Sequence, residues 1–405
     1  MGVDPHLTFV SPRFLFPADS GGKIRTSQIL RGLKGGVFKI RLVMPCKRPW
    51  RVRYSRELEA VCDELITWDY EDRSDILHTF KKIAWLMKKI PVSVFSDWSK
   101  MGEETVVREV LRNPDILVFD FPHSLVLAPS EWNSPSVIFT HNVEAEIFRR
   151  HWEVSRSPLR KAIWATQHRK MYLYEKDILS RFDTVVAVSS RDCEVFKSEF
   201  NVKSCHTIPT GVDAEYLEYH APNHHSQVVF CGSMDWMANI DAIEYFFSEI
   251  WPAIRKMVPS AKMKVVGRAP PKSLVRKILN DNPAWEFTGF VEDVRPHVAG
   301  ADAFVIPLRI GGGTRIKAFE AMAMGCPVVS TSIGIEGLPV EDGTHYLCAD
   351  DPMEFARKVA ALLSERQTCI RLSEAGRDLV RKNHSFQQAA TVFEKICMAT
   401  IAGKT

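Results

Sequence analysis

Three things are scarce in this sequence: closely paired cysteines, long apolar runs, and an excess of charge of either sign. The nine cysteines, at 46, 62, 193, 205, 231, 326, 348, 369 and 397, form no C-x-x-C pair. Most lie in apolar or helix-like surroundings, where a reduced thiol acts as a small hydrophobe, so a reduced, cytosolic and metal-free chain is expected. No stretch approaches the roughly eighteen apolar residues of a membrane span. Residues 1–10 lack the basic and apolar regions of a signal peptide, so the chain is expected neither to cross a membrane nor to be exported by that route. The charge balance is 53 basic against 49 acidic residues, a net of +4. That is too slight to imply nucleic acid, and any basic surface must be local.

Chemical motifs are missing as well. There is no G-x-x-x-x-G-K-[ST] loop, which removes support for an ATPase, no Asp-x-Asp and no clustered His/Cys set. No 20- to 50-residue repeat appears. What remains is ordinary globular usage, 45% hydrophobic and 25% charged, over 405 residues. That length suits about two or three domains.

Short apolar runs alternate with helix-like segments throughout. The runs LTFVSP, FKIRLVMP, DILVFDFP, SVIFTHN, DTVVAVSS and CHTIPTG occupy the first half. Helices are expected in KIRTSQILRGLKGG, at 72–89, at 103–112, at 157–181 and in SRDCEVFKSEF. A second series follows at 228–233, 263–267, 287–290, 303–308, 327–331 and 345–350, with DAIEYFFSEIWPAIRKM and IKAFEAMAMG as helices between them. Such alternation predicts an α/β fold with parallel sheets in two nucleotide-fold domains. The polar segment APNHHSQ, 221–227, is the candidate linker. It sets domains at 1–222 and 223–384, with a terminal helix at 385–405 expected to pack back on the first.

The strongest local signal is PLRIGGGTRIKAFEAMAMGCPVVST, 307–331. Gly311, Gly312, Gly313 and Thr314 lie between a buried-type strand and a helix, where backbone amides can converge on phosphate without obstruction by side chains. Arg315 and Lys317 add cations to that turn. A glycine-rich turn with solvated charges is the plain alternative. Glu320 falls in the apolar run FEAMAM, where a carboxylate needs hydrogen-bond donors such as ribose or sugar hydroxyls, unless it sits on a helix surface.

These segments resemble the retaining GT-B glycosyltransferases of the glycosyl transferases group 1 class, similar to family GT4. The resemblance rests on EAMAMGCPVVST and its upstream extension VEDVRPHVAGADAFVIPLRIGGGTRIKAFEAMAMG, on VVFCGSMDWMANIDAIEYF with MKVVGRAP, and on IPTGVD at 208–213. It implies two facing Rossmann-like domains with a cleft, a nucleotide diphosphate sugar held by the C-terminal domain, and an acceptor held by the N-terminal one. It also implies donor contacts at Gly232 and at Gly311 to Lys317, with Glu320 on the ribose. The family often carries a second Glu eight places earlier. Gly312 stands there instead, and backbone amides of 311–313 must take over its contacts.

In the first half, FPADSGGKIRTSQILRGL, 16–33, places Gly21 and Gly22 before a helix with Lys23 and Arg25. The family has a Gly-rich loop at that point, near phosphates and acceptor, although such a pair is equally a plain turn. His141 in FTHNVEAEIF follows a strand, where α/β ligand sites open. It resembles a family His facing donor sugar and acceptor, but a His closing the turn through its backbone fits as well. Asn142 and Glu144 are the second choices.

The basic, aromatic segments 47–56 and 80–89 carry the composition of interfacial helices, or of solvated helix faces. The resulting expectation is a metal-independent retaining glycosyltransferase without cofactor, with candidate catalytic residues His141, Arg315, Lys317 and Glu320. Its acceptor would be a glycan or lipid-linked hydroxyl in cell-surface polysaccharide synthesis, its place cytoplasmic or peripheral at the inner membrane face, and nucleic acid is not a partner. A nucleotide-sugar epimerase or phosphorylase of the same architecture, or a noncatalytic glycan-assembly protein, are the alternatives.

Overall fold

The computed structural model describes residues 4–69, 88–155, 157–310 and 315–403. The chain divides into two compact units, Met1–Pro209 with Phe386–Thr405, and Thr210–Ser385. The second unit therefore starts at Thr210, upstream of the polar 221–227 segment. Hydrogen bonds hold this opening segment to the rest of the unit, among them Val212 N–H to the His384 carbonyl at 2.8 Å, His220 N–H to Met324 at 3.0 Å and Asn223 N–H to Gly300 at 2.9 Å.

The first unit is a seven-stranded sheet of β1 (His6–Val10), β2 (Lys39–Pro45), β3 (Glu64–Trp68), β4 (Ile116–Asp120), β5 (Ser136–Phe139), β6 (Thr184–Ala187) and β7 (Cys205–Thr207). Its order is β3-β2-β1-β4-β5-β6-β7, and every pairing is parallel. The central strands are apolar on both faces because helices cover both faces; β1, β4 and β5 are buried almost throughout. Strand β3 has no counterpart among the runs expected from sequence. It is an edge strand, half-exposed along most of its length, so ELITW lacks the continuous apolar run of a central strand. The helix Phe386–Ala402 completes this unit, with Ala389, Ala390 and Phe393 in the core against β1, β2 and β5. The Phe393 and Phe139 rings meet edge to face at 5.4 Å.

The second unit is a six-stranded parallel sheet of β8 (Gln227–Cys231), β9 (Lys262–Val266), β10 (Trp285–Gly289), β11 (Ala303–Ile306), β12 (Val328–Ser330) and β13 (Leu347–Cys348), in the order β10-β9-β8-β11-β12-β13. The expected continuous helix at 241–257 is interrupted. An α-helix, Met237–Tyr245, passes into a π-turn, Phe246–Ile250, before Trp251–Met257. Pro252, which lacks an N–H and cannot close the regular ladder, lies at that junction.

Each sheet runs outward from its first strand and then reverses, so each has a switch point: β1/β4 in the first unit and β8/β11 in the second. In open parallel sheets ligands gather outside the carboxyl ends of strands at such points. The expected helix at 72–89 and the segment 80–89 fall almost wholly outside the described residues. The segment 47–56 forms two short helices, Arg48–Arg53 and Ser55–Glu59. Its Trp50 and Tyr54 turn inward onto Phe14, at 5.2 and 5.9 Å, so the aromatic half of that motif serves the core.

Candidate active site

In the second unit the site is built at the carboxyl ends of β8 and β9. Gly232 N–H donates to the Val266 carbonyl at 2.9 Å, and a Cβ on Gly267 would fall 1.9 Å from the Gly232 oxygen. Only glycine permits that approach. A Cβ on Gly232 itself would meet the Asn239 amide at 2.8 Å. This clearance seats Asn239, whose Nδ2 donates to the Ser233 carbonyl at 2.8 Å and whose Oδ1 accepts from Lys317 Nζ at 3.1 Å. The Lys317 ammonium also lies 4.9 Å over the Phe230 ring.

Lys317 stands in the first turn of the helix Ile316–Ala323, which Arg315 enters with a left-handed φ of 47°. Burial pulls the Lys317 ammonium down to about 8, with Arg315 acting in the same direction. Burial pushes the Glu320 carboxyl up to about 7, against the pull of Lys317. Both side chains keep partial solvent contact, so they line a recess rather than a sealed core. The cations around this edge differ in one respect. Arg268 pairs with Asp235 at 3.1 Å, Arg309 with Asp241 at 2.6 Å and Arg315 with Glu336 at 3.6 Å. Lys317 has a neutral amide and a ring, and no ion pair among the described residues; the Glu320 carboxylate likewise has no hydrogen bond there. An ammonium short of a counter-charge beside a carboxylate short of donors suits a ligand carrying both anion and hydroxyls. Gly311, Gly312, Gly313 and Thr314 lie outside the described residues.

In the first unit a buried polar network occupies the β1/β4 switch point. His141 Nε2 lies 2.8 Å from Asp120 Oδ1, and Thr26 donates to the same oxygen at 3.0 Å. Ser11 donates to Asp120 Oδ2 at 3.0 Å. A carboxylate only accepts, so Nε2 carries a proton and Nδ1 is the ring nitrogen left to meet a ligand. That Nδ1 is buried and has no hydrogen-bond partner among the described residues. Gly22 lies against this ring, its missing Cβ 3.9 Å from His141 Cδ2, while Gly21 starts the helix Gly21–Leu33. Lys23 pairs with Asp19 at 3.1 Å. Arg25 is a buried strut, lowered to about 9 by burial against the pull of Asp192, and it donates to the Ile208 and Pro209 carbonyls at 3.1 and 3.2 Å. Asn142 donates to Glu144, which begins the next helix, Glu144–Val154.

Sequence reasoning reaches neither Asp120, Thr26, Ser11 nor Asn239. An acidic residue ending the apolar run DILVFD is the available signal for Asp120, whereas neutral Asn239 gives none. A second buried imidazole, His123, also escapes it. Its Nδ1 lies 2.9 Å from Asp97. Burial opposes the Asp97 charge, but Arg13 and His123 outweigh it and hold the carboxyl at about 2. Between the two imidazoles stands Phe121, with φ 74°, a backbone conformation that costs a bulky residue energy and clusters at functional sites.

Two Rossmann-like units, each built on a parallel sheet, have the fold of the GT-B glycosyltransferases. Residues 225–365 match the family model described as glycosyl transferases group 1, and residues 104–216 match glycosyltransferase family 4. The chain belongs to this group 1/family 4 family of glycosyltransferases. An uncharacterised 44.6 kDa protein in the cps region of Klebsiella pneumoniae is 22% identical over 354 residues, covering 85% of this chain and 87% of that protein. Sucrose-phosphate synthase from Thermosynechococcus elongatus superposes with a TM-score of 0.72 at 15% identity, over 98% of this chain and 100% of that one. A point mutant of S. aureus TarM, solved with fondaparinux, alpha-GlcNAc-glycerol and UDP, gives 0.70 at 12% identity, over 98% and 99%. At these identities the two structures establish the fold. Among the described residues no helix is long and apolar enough to cross a membrane.

Proposed function

We propose that this chain transfers a sugar, with retention at the anomeric carbon and without a metal, from a nucleotide diphosphate sugar to a hydroxyl of a glycan or lipid-linked acceptor in cell-surface polysaccharide synthesis. The observation that carries the reading is the Lys317 recess: a cation whose nearest partner is the neutral Asn239, one helical turn from an uncommitted carboxylate. TarM was solved with UDP, which agrees with a nucleoside diphosphate there, and the relative in the cps region agrees with a glycan setting.

In this reading Lys317 stabilises the charge that grows on the diphosphate as its bond to the anomeric carbon breaks. Glu320 accepts from ribose hydroxyls. The remaining donor contacts are assigned to Gly311, Gly312, Gly313 and Thr314, as the family resemblance implies, and to Arg315, held by Glu336. His141 accepts, through Nδ1, a hydroxyl of the transferred sugar or of the acceptor, and Asp120 fixes the tautomer that makes this possible.

The test is a panel of nucleotide sugars scored for saturable thermal stabilisation and slow donor hydrolysis. Wild-type protein is expected to respond to at least one donor, and Lys317→Ala, Glu320→Ala and Arg315→Ala to respond less. A flat melting temperature with every donor would sink the donor site. Formation of an epimer without added acceptor would move the activity to an epimerase. The anomeric configuration of an isolated product decides retention.

A further inference from the structure

At the carboxyl ends of β1, β4 and β5, beside the Asp120 network, lies a second polar chain that the proposed chemistry leaves unused. Arg13 follows β1, His123 lies in the short 3₁₀ helix Pro122–Leu127 after β4, and Glu144 opens the helix after β5. Asp97, just past the short helix Val92–Phe95, joins the first two. Its carboxylate meets Arg13 Nε and Nη2 at 3.3 and 2.9 Å and lies 2.9 Å from His123 Nδ1. Against burial, Arg13 and His123 hold that carboxyl at about 2, so it only accepts. Nδ1 therefore carries a proton, and Nε2 is the ring nitrogen left over.

Phe121 turns the chain into this arrangement. Its φ of 74° with ψ of 142° is a conformation that glycine adopts freely and phenylalanine does not. It persists because neighbours fix both sides of the residue: Phe121 N–H donates to the Phe139 carbonyl at 2.8 Å, and the Ser124 N–H and hydroxyl donate to the Phe121 carbonyl at 3.0 and 2.7 Å.

His123 Nε2 is buried and has no hydrogen-bond partner among the described residues. It faces Glu144 Oε2 at 4.0 Å, a gap too wide for a hydrogen bond. Glu144 Oε1 accepts from the Asn142 amide, whereas Oε2 accepts nothing among the described residues. Two buried side chains thus confront each other and neither satisfies the other. Glu144 is held back by its own backbone. Glu175, on the long helix Pro158–Leu179, accepts from the N–H groups of Glu144 and Ala145 at 2.9 and 2.7 Å.

The gap has a chemical preference. A hydroxyl both donates and accepts, so one hydroxyl or two neighbouring ones serve a carboxylate oxygen and a ring nitrogen in either protonation state. A further anion would be poorly served. Glu144 has no ion pair with Lys or Arg among the described residues, and Arg13 is committed to Asp97 on the Nδ1 side of the ring. Behind it stands Glu175, whose carboxyl burial, and then Glu144, push well above its ordinary value.

We propose that Glu144 and His123 form a second hydroxyl-reading point in the first unit, and that it selects an acceptor whose hydroxyl-bearing end is uncharged over one carrying a carboxylate or phosphate there. The proposal rests on the reading that this unit receives the acceptor, and it names the chemical class admitted. Glu144 meets the acceptor; Arg13 and Asp97 act through His123 as positioning residues.

The experiment titrates the purified full chain, carrying isotope-labelled histidine, with octyl glycosides of glucose, galactose and mannose below their micelle concentrations, and with the matching octyl uronides. Loss of one ring signal in His123→Gln identifies that residue in the spectrum. At least one neutral glycoside should move the His123 Nε2 resonance saturably, and its uronide should bind about tenfold or more weakly. Glu144→Ala should weaken the neutral glycoside by about tenfold or more. Glu144→Gln keeps an acceptor oxygen without the charge, so it should hold the neutral glycoside within severalfold of wild type and admit the uronide. Unaltered circular dichroism and melting would certify that the variants fold. Three results overturn the proposal: no glycoside moves the His123 signal, as a gap filled only by water would give; uronides bind as well as neutral glycosides; or both Glu144 variants keep wild-type affinities. UDP titrated into the same proteins is scored apart, since failure to bind it would count against the donor recess and not against this point.

Discussion

The two switch points are built on opposite principles. In the first unit Asp120 collects donors from His141, Thr26 and Ser11, so its carboxyl group is fully served from within and only the His141 Nδ1 is left over. In the second unit the ammonium of Lys317 and the carboxyl of Glu320 are each pushed toward neutrality by burial, to about 8 and about 7, and neither is answered by an opposite charge in hydrogen-bonding contact among the described residues. A self-satisfied network keeps its geometry with or without ligand. An unanswered pair stores unfavourable electrostatics that a ligand of the right charge relieves. In the proposed reading the same sheet topology supports a positioning site in one unit and an anion-accepting site in the other.

The largest effect expected from breaking this contrast is at Lys317. Lys317→Ala should lower kcat/KM for transfer by about a hundred- to a thousandfold, with weaker nucleoside diphosphate binding, measured by steady-state kinetics and titration. Asp120→Asn should lower transfer by on the order of a hundredfold, with diphosphate affinity unchanged, because it disturbs only the tautomer and orientation of His141. It should also cost about 1–3 kcal/mol of stability, read by denaturant unfolding, because the one oxygen that remains can serve either Ser11 or the Thr26 and His141 pair, and the other side meets an NH2 donor.

Glu320→Gln sharpens the comparison through pH. A carboxyl raised in the folded state binds more protons folded than unfolded between its ordinary value near 4.5 and about 7, so stability falls as pH rises across that window. The Gln variant should lose that slope and exceed wild type above pH 7, by on the order of 1–2 kcal/mol once partial solvent screening is allowed for. Lys317 behaves oppositely: its lowered value makes stability rise as pH rises from about 8 toward 10.5. The smallest effect is expected from Gly232→Ala. It displaces Asn239 without touching a charge, and should weaken diphosphate binding by severalfold.

The strand alternation made both sheets legible, since buried parallel strands are written as short apolar runs. Lys317 and Glu320 were legible because charges interrupt an otherwise apolar helix, and His141 because it follows a strand. Asp120 was harder, as its role exists only where β4 ends beside β1 and β5, a relation of topology rather than of neighbours in sequence. Asn239 and the Gly232–Gly267 approach were invisible for the same reason. Strand β3 escaped because an edge needs only partial burial. The basic, aromatic segment 47–56 misled in part, since composition cannot say that Trp50 and Tyr54 face Phe14.

The central claim is that the Lys317 recess receives a diphosphate. It is tested most directly by calorimetric titration of UDP, GDP and ADP at pH 8 in buffers of differing ionisation enthalpy, which counts the protons taken up on binding. At that pH about half of the Lys317 population lacks its proton, so a bound diphosphate should draw in about half a proton, and Lys317→Ala should abolish that uptake along with most of the affinity. Unchanged affinity and unchanged proton uptake in Lys317→Ala would contradict the account.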